Sequence, residues 1–206
     1  SLCYVVFLLS LTAALKFEYA TLKRDDRPLF NKLTAEELAY VRSRCGKSPF
    51  ASSLANRAKR VIYGRVATIK DFPWAAYMQF PGCGATLISN RHAVTSAHCL
   101  YENEFKQIND KTAKFYAFVT YGTNCVRSTE PNEPCRPPIG GNFTSLRSVA
   151  RDSRFNKKEI RSPYDVAIIE LSDDIDWSDG AAPACLPSQD DPLPNPLFHA
   201  GWGILE

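Results

Sequence analysis

From Val61 onward the sequence predicts an all-β fold, an antiparallel barrel or sandwich, behind an N-terminal stretch of different character. Three observations carry this prediction. Short runs rich in β-branched and aromatic residues follow one another along the chain. Proline, glycine and asparagine stand between those runs and supply the turns. No internal repeat or helical periodicity competes with that pattern past residue 61, which favours strands laid side by side in a closed or two-layered arrangement.

The elements follow in order. The chain opens with "SLCYVVFLLSLTAALK", an apolar run too short for the roughly 20 residues a membrane span requires, and fitting the core of a signal peptide over residues 1–15. It begins at Ser1 without a methionine or basic flank, so the peptide is expected to be truncated at its start. Residues 16–60 are charged and show no strand alternation, and read as a propeptide. Within them "LTAEELAYVRSRCG" predicts a short helix over about 35–44. Thr34 can cap it, Glu37 can return the bond, Leu33 can staple onto Leu38, and Gly46 supplies the stop, so the helix delivers Cys45. Strands are then predicted at 75–80, 85–89, 92–96, 114–122, 145–150 and 165–171. "GTNCVRSTEPNEPCRPPIGGN" is a loop that Cys125 and Cys135 can close on itself.

Composition limits the function classes. A net charge of +3 with scattered basic residues gives no nucleic-acid footprint. Of the seven cysteines, Cys3 would leave with the signal peptide; the other six can all pair in a secreted protein, in a connectivity that spacing alone does not decide. "NFT" makes Asn142 a glycosylation acceptor compatible with secretion. The three histidines, His92, His98 and His199, complete no zinc spacing with cysteines or carboxylates, so no metal or cofactor is expected.

Two stretches carry chemistry. "RAKRVIYG" places a basic cleavage signal at the composition boundary, where cutting after Arg60 frees the amine of Val61. In "VTSAHC", His98 follows a strand-like run and precedes Cys99, while Cys83 begins the preceding run and can face Cys99 across a hairpin. A bond between them would fix the backbone beside a general base. Asp165 opens the apolar run "DVAIIEL", where a carboxylate calls for a partner, and an imidazole N–H serves. Taken singly, His98 also reads as a strand-end histidine and Asp165 as a turn residue.

Together these stretches resemble the trypsin-like, chymotrypsin-fold serine proteases from about Val61 to residue 206. "VIYG" is similar to that family's mature N-terminus and "FPWAAYMQF" to its first strand. "CGATLIS", "VTSAHC", "DVAIIEL", "PACLP" and "GWG" match later family segments in family order. The resemblance implies a double six-stranded Greek-key barrel, here the first barrel plus the start of the second, with an incomplete peptidase domain over 61–206. It implies His98 as general base, Asp165 as its orienting partner, a Cys83–Cys99 disulfide beside the histidine, and a Cys45–Cys185 tether holding the propeptide. The chain departs from the family pattern at Ser96, where alanine is usual, and in the Cys125–Cys135 loop. It also has no cysteine before "GWG".

The family's triad runs histidine, aspartate, serine. No Gly-Asp-Ser-Gly-Gly follows Asp165, and Ser172, Ser178 and Ser188 read as surface serines. The expectation is therefore a fragment of a secreted serine endopeptidase zymogen that lacks its nucleophile and is inactive by itself. Its expected partners are protein or peptide substrates, an activating protease and protease inhibitors, with no nucleic acid and no membrane once the signal is removed. The competing expectation is a non-catalytic protease homologue acting as a binding or regulatory module, against which the retention of both His98 and Asp165 counts.

Overall fold

The computed structural model of the chain describes residues 17–21, 30–48, 67–79, 82–100, 118–126, 141–156, 158, 163–177, 180–188, 191–192 and 199–202. The signal-peptide stretch, Arg60 and Val61, Cys135 and Ser178 lie outside them.

Six strands close into an antiparallel barrel: β2 (Ala75–Met78), β3 (Cys83–Leu87), β4 (His92–Thr95), β5 (Phe118–Tyr121), β6 (Asn142–Asp152) and β7 (Ala167–Leu171). The ladder runs β2-β3-β4-β7-β6-β5 and returns to β2, which closes the barrel and leaves only the far half of β6, beyond the reach of β5, with an unpaired barrel edge. A six-stranded barrel has a narrow interior, which explains why small residues line it. Ala76, Ala93 and Ala167 are fully buried beside Leu87, Val119 and Ile169. Each predicted run overlaps one of these strands, although β3 begins two residues before its run.

β6 is longer than the predicted 145–150 and carries a bulge. Its register with β7 slips between Leu146 and Ser148, leaving Arg147 as the extra residue. The slip lets Leu146 and Val149, three positions apart, both face the core. It also sets Arg147 beside Glu170 of β7. Both side chains are buried and joined by a 2.7 Å ion pair, and the Ser148 hydroxyl donates to the same Glu170 oxygen. Ser172, predicted at the surface, is buried instead: its backbone N–H bonds to the Ser145 carbonyl at 2.8 Å, and its hydroxyl oxygen accepts from the Ser145 hydroxyl at 2.7 Å. Ser188 is exposed.

The N-terminal segment contributes more than a helix. Phe17–Thr21 forms β1, an outer strand paired with the second half of β6. No alternating pattern announces it, because the exposed backbone of β6 specifies the pairing. The helix α1 (Ala35–Arg44) carries the predicted capping box: Glu37 N–H donates to the Thr34 hydroxyl at 3.2 Å and Thr34 N–H to the Glu37 carboxylate at 2.8 Å. Leu38 is exposed, and Val41 is the residue of α1 that is buried.

At the end of α1, Gly46 takes φ +66° and its N–H leaves the helix for the Pro183 carbonyl at 2.9 Å. A Cβ there would lie 3.1 Å from the Cys185 sulfur, a tight approach that adds to the preference of this φ for glycine. Cys45, next to it, is bonded to Cys185 across 140 residues of sequence. Further contacts seat this segment on the barrel. Glu37 pairs with the buried Arg91, Asn31 N–H reaches Glu170 at 3.2 Å, and Phe30, itself at φ 58°, stacks on His92. Among the described residues no helix is long and apolar enough to cross a membrane.

Candidate active site

The site grows out of the end of β4. After Thr95, whose hydroxyl donates to the Gly84 carbonyl at 2.9 Å, the chain turns into a single 3₁₀ turn at Ala97–Cys99. The Cys99 and Leu100 N–H groups close that turn onto the Ser96 and Ala97 carbonyls. Ala97 and Cys99 are buried, so His98 between them is turned outward. Cys99 is bonded to Cys83 at the start of β3, which fixes the turn from below.

Asp165 arrives from the other side, two residues before β7. Its two carboxylate oxygens hold the same histidine twice. Oδ1 accepts from the His98 backbone N–H at 2.8 Å, and Oδ2 faces the ring Nδ1 at 2.7 Å. An imidazole nitrogen facing a carboxylate is a donor, which leaves the lone pair of the neutral ring on Nε2. The His98 side chain is 44% exposed and that of Asp165 32%, so the pair opens to solvent instead of being sealed in the core. This arrangement can take a proton from a group presented to Nε2 and support the resulting imidazolium.

Other candidates lie elsewhere. His92 is buried, with its Nδ1 2.9 Å from the Ser89 hydroxyl; burial lowers its imidazole from 6.5 to about 4. His199 is exposed. Among the described residues, Cys83, His98 and Cys99 are the one grouping with metal-ligand atoms close together. The two sulfurs are bonded to each other, so neither is a thiolate available to a metal. Cys125 is in a disulfide, and its predicted partner Cys135 lies outside the described residues. Asn142 is half-buried at the start of β6, opposite Tyr121. Trp202 of the "GWG" stretch rests edge-on against Tyr77 and donates to the Asn124 carbonyl at 2.8 Å.

A six-stranded antiparallel barrel with a histidine–aspartate pair beside a Cys–His turn disulfide narrows the field, and comparison with known sequences decides it. Residues 61–206, more than half of the chain, match the Trypsin family. The chain belongs to the trypsin family. Within it, this chain is 29% identical to chymotrypsin-C of Bos taurus over 177 residues, covering 82% of the chain and 57% of the relative. It is 28% identical to CLIP domain-containing serine protease B15 of Anopheles gambiae over 171 residues, covering 72% and 43%. It is 27% identical to phenoloxidase-activating factor 3 of Holotrichia diomphalia over 183 residues, covering 79% and 50%. The chain thus spans about half the length of the curated relatives it matches. Two features of this trypsin-family barrel gave no sequence signal: the buried Arg147–Glu170 pair, and the Arg154 guanidinium over the ring of Tyr164, next to Asp165. Each depends on a partner brought close by the register of β6 and β7.

Proposed function

We propose that the chain is part of a secreted serine endopeptidase zymogen, in which His98 is the general base, Asp165 orients it, and cleavage after Arg60 activates the enzyme. The observation that carries this is the double grip of Asp165 on His98, 2.8 Å to the backbone and 2.7 Å to Nδ1, within a trypsin-family barrel. A carboxylate that only satisfied a strand-end histidine would have no need to fix both the ring's tautomer and its backbone. The pair has no nucleophile among the 206 residues, since no serine after Asp165 stands in a glycine-flanked setting. The serine that His98 would deprotonate is therefore assigned to a further part of the complete protein.

In that protein, Nε2 of His98 takes the hydroxyl proton as the serine attacks the scissile carbonyl, and returns it to the leaving amine. Cys45–Cys185 keeps the segment before Arg60 attached after activation, so the mature enzyme has two chains. The protein's substrates are proteins or peptides, an activating protease recognises Arg57-Ala58-Lys59-Arg60, and inhibitors of serine proteases bind it. Residues 1–15 direct export, and Asn142 carries a glycan. No cofactor is assigned.

The test is to read the transcript past codon 206 and to label the activated complete protein with a fluorophosphonate. A Gly-Asp-Ser-Gly-Gly motif and covalent labelling are expected, with no labelling of the 206-residue chain. A stop codon, or glycine in place of that serine, would overturn the enzyme reading and leave a binding or regulatory homologue.

A further inference from the structure

Asp165 has to hold two bonds to His98 from a position outside any strand. Val166 N–H donates to the Tyr164 carbonyl at 2.8 Å, so Asp165 sits at the apex of a three-residue turn. Such a turn needs support from outside, and both of its flanks receive it from the end of β6. The Asp152 N–H donates to the Val166 carbonyl at 3.3 Å. The Arg154 guanidinium lies over the Tyr164 ring, 4.1 Å from its centre. These two supports are locked together. Arg154 grips Asp152 bidentately, Nε to Oδ1 at 2.8 Å and Nη2 to Oδ2 at 2.7 Å, and its backbone N–H adds a third bond to Oδ1 at 3.0 Å. Asp152 is fully buried, and this grip holds its carboxyl below the ordinary carboxylate value.

We propose that Arg154, anchored on buried Asp152 and stacked on Tyr164, is a positioning residue that aims the Asp165 carboxylate and through it the His98 ring. The proposal rests on the assignment of His98 and Asp165 as base and orienter. Arg154 touches neither the ring nor a reacting atom. It fixes the plane of Tyr164, the residue joined to Asp165, while Asp152 fixes Val166 on the other side. Loss of either support lets the carboxylate turn away from Nδ1, and the ring then samples the tautomer protonated on Nε2, which cannot act as a base.

The decisive variants are Tyr164→Leu and Tyr164→Phe in the complete protein, because both leave the Arg154 grip on buried Asp152 in place, and Tyr164→Phe gives up only the phenol's bond to Arg154. Two-bond ¹H–¹⁵N correlation through the carbon-bound ring protons reads which His98 nitrogen carries the proton, and steady-state kinetics separates kcat from KM. The wild type and Tyr164→Phe, which keeps a ring under the guanidinium, are expected to hold the proton on Nδ1. Tyr164→Leu is expected to lose that preference and to lower kcat roughly tenfold at unchanged KM. Unchanged tautomer and kcat in Tyr164→Leu, or equal damage in both variants, would overturn the proposal. Arg154→Lys is the second line: it keeps a cation beside Asp152 but lacks the planar fork, and is expected to reproduce the Tyr164→Leu tautomer loss. A wild-type tautomer in Arg154→Lys would count against the clamp. The tautomer is read without turnover. A protein in which Tyr164→Leu shifts it but no peptide is hydrolysed would refute the proposed function and leave the clamp standing.

Discussion

Two histidine–carboxylate couples sit at opposite ends of the same pair of strands. At one end of the β4–β7 ladder, His92 lies directly opposite Glu170. Just past the other end, where Thr95 meets Ala167, His98 faces Asp165. The residue types are alike and the outcomes opposed. His92 and Glu170 are sealed beneath Phe30 and Asn31, and the carboxylate is committed to Arg147 and Ser148. His98 and Asp165 are open to solvent and committed to each other. Chemistry therefore follows from what covers the couple and what else claims the carboxylate. Burial holds one imidazole uncharged, while the other stands open to solvent on its carboxylate.

The sharpest way to break the comparison is at the open end. In the proposed enzyme, Asp165→Asn keeps the shape of the site but offers its amide where the carboxylate was, so the ring is no longer held with its proton on Nδ1. Measured kcat/KM is expected to fall by about 10⁴-fold, with the melting temperature little changed. The same chemistry at the sealed end should show the reverse pattern. Glu170→Ala leaves the Arg147 guanidinium buried without its carboxylate, and denaturant unfolding is expected to show a loss of about 3–5 kcal/mol. A well-folded, fully stable Glu170→Ala protein would refute the structural assignment of that couple.

The pH dependence sharpens the contrast further. His92 titrates at about 4 in the fold against 6.5 in the unfolded chain, so between those values the unfolded state binds the extra proton. This contribution to stability is complete above about 6.5, falls as the pH drops, and is lost by about 4, for a total on the order of 3 kcal/mol. His92→Phe, which can still stack on Phe30, should flatten the stability profile over that window when unfolding is followed by denaturant titration at a series of pH values. An unchanged slope would mean that other groups cause the acid sensitivity.

How much of this was legible in the sequence depended on distance along the chain. The capping box of α1 was readable because Thr34 and Glu37 are three residues apart and bond each other. The barrel strands were readable because their apolar runs carry their own pattern. β1 was not, because "FEYAT" takes its strand geometry from a partner some 130 residues later. The bulge at Arg147 hid the inward pairing of Leu146 and Val149, since three-residue spacing does not read as strand alternation. At the candidate site, His98 and Asp165 could be named through the order of family motifs. The Arg154–Asp152 grip could not, because an arginine two residues past an aspartate is ordinary in a polar loop until β6 sets it against Tyr164.

The smallest expected effect tests whether the covering segment is part of the barrel's stability. Thr34→Ala removes one half of the capping box, and with it the bond that holds Glu37 N–H at the start of α1. Glu37 is also the partner of Arg91, one residue before His92, so the cap reaches the sealed couple through one side chain. If the segment folds as one unit with the barrel, the substitution should lower global stability by about 1 kcal/mol in a single transition, with hydrogen exchange in α1 and β4 rising together. If α1 only leans on the barrel, exchange should rise in α1 alone and the unfolding midpoint should stay in place. The sealing of His92 would then rest on Phe30, Asn31 and the Cys45–Cys185 tether without help from the helix.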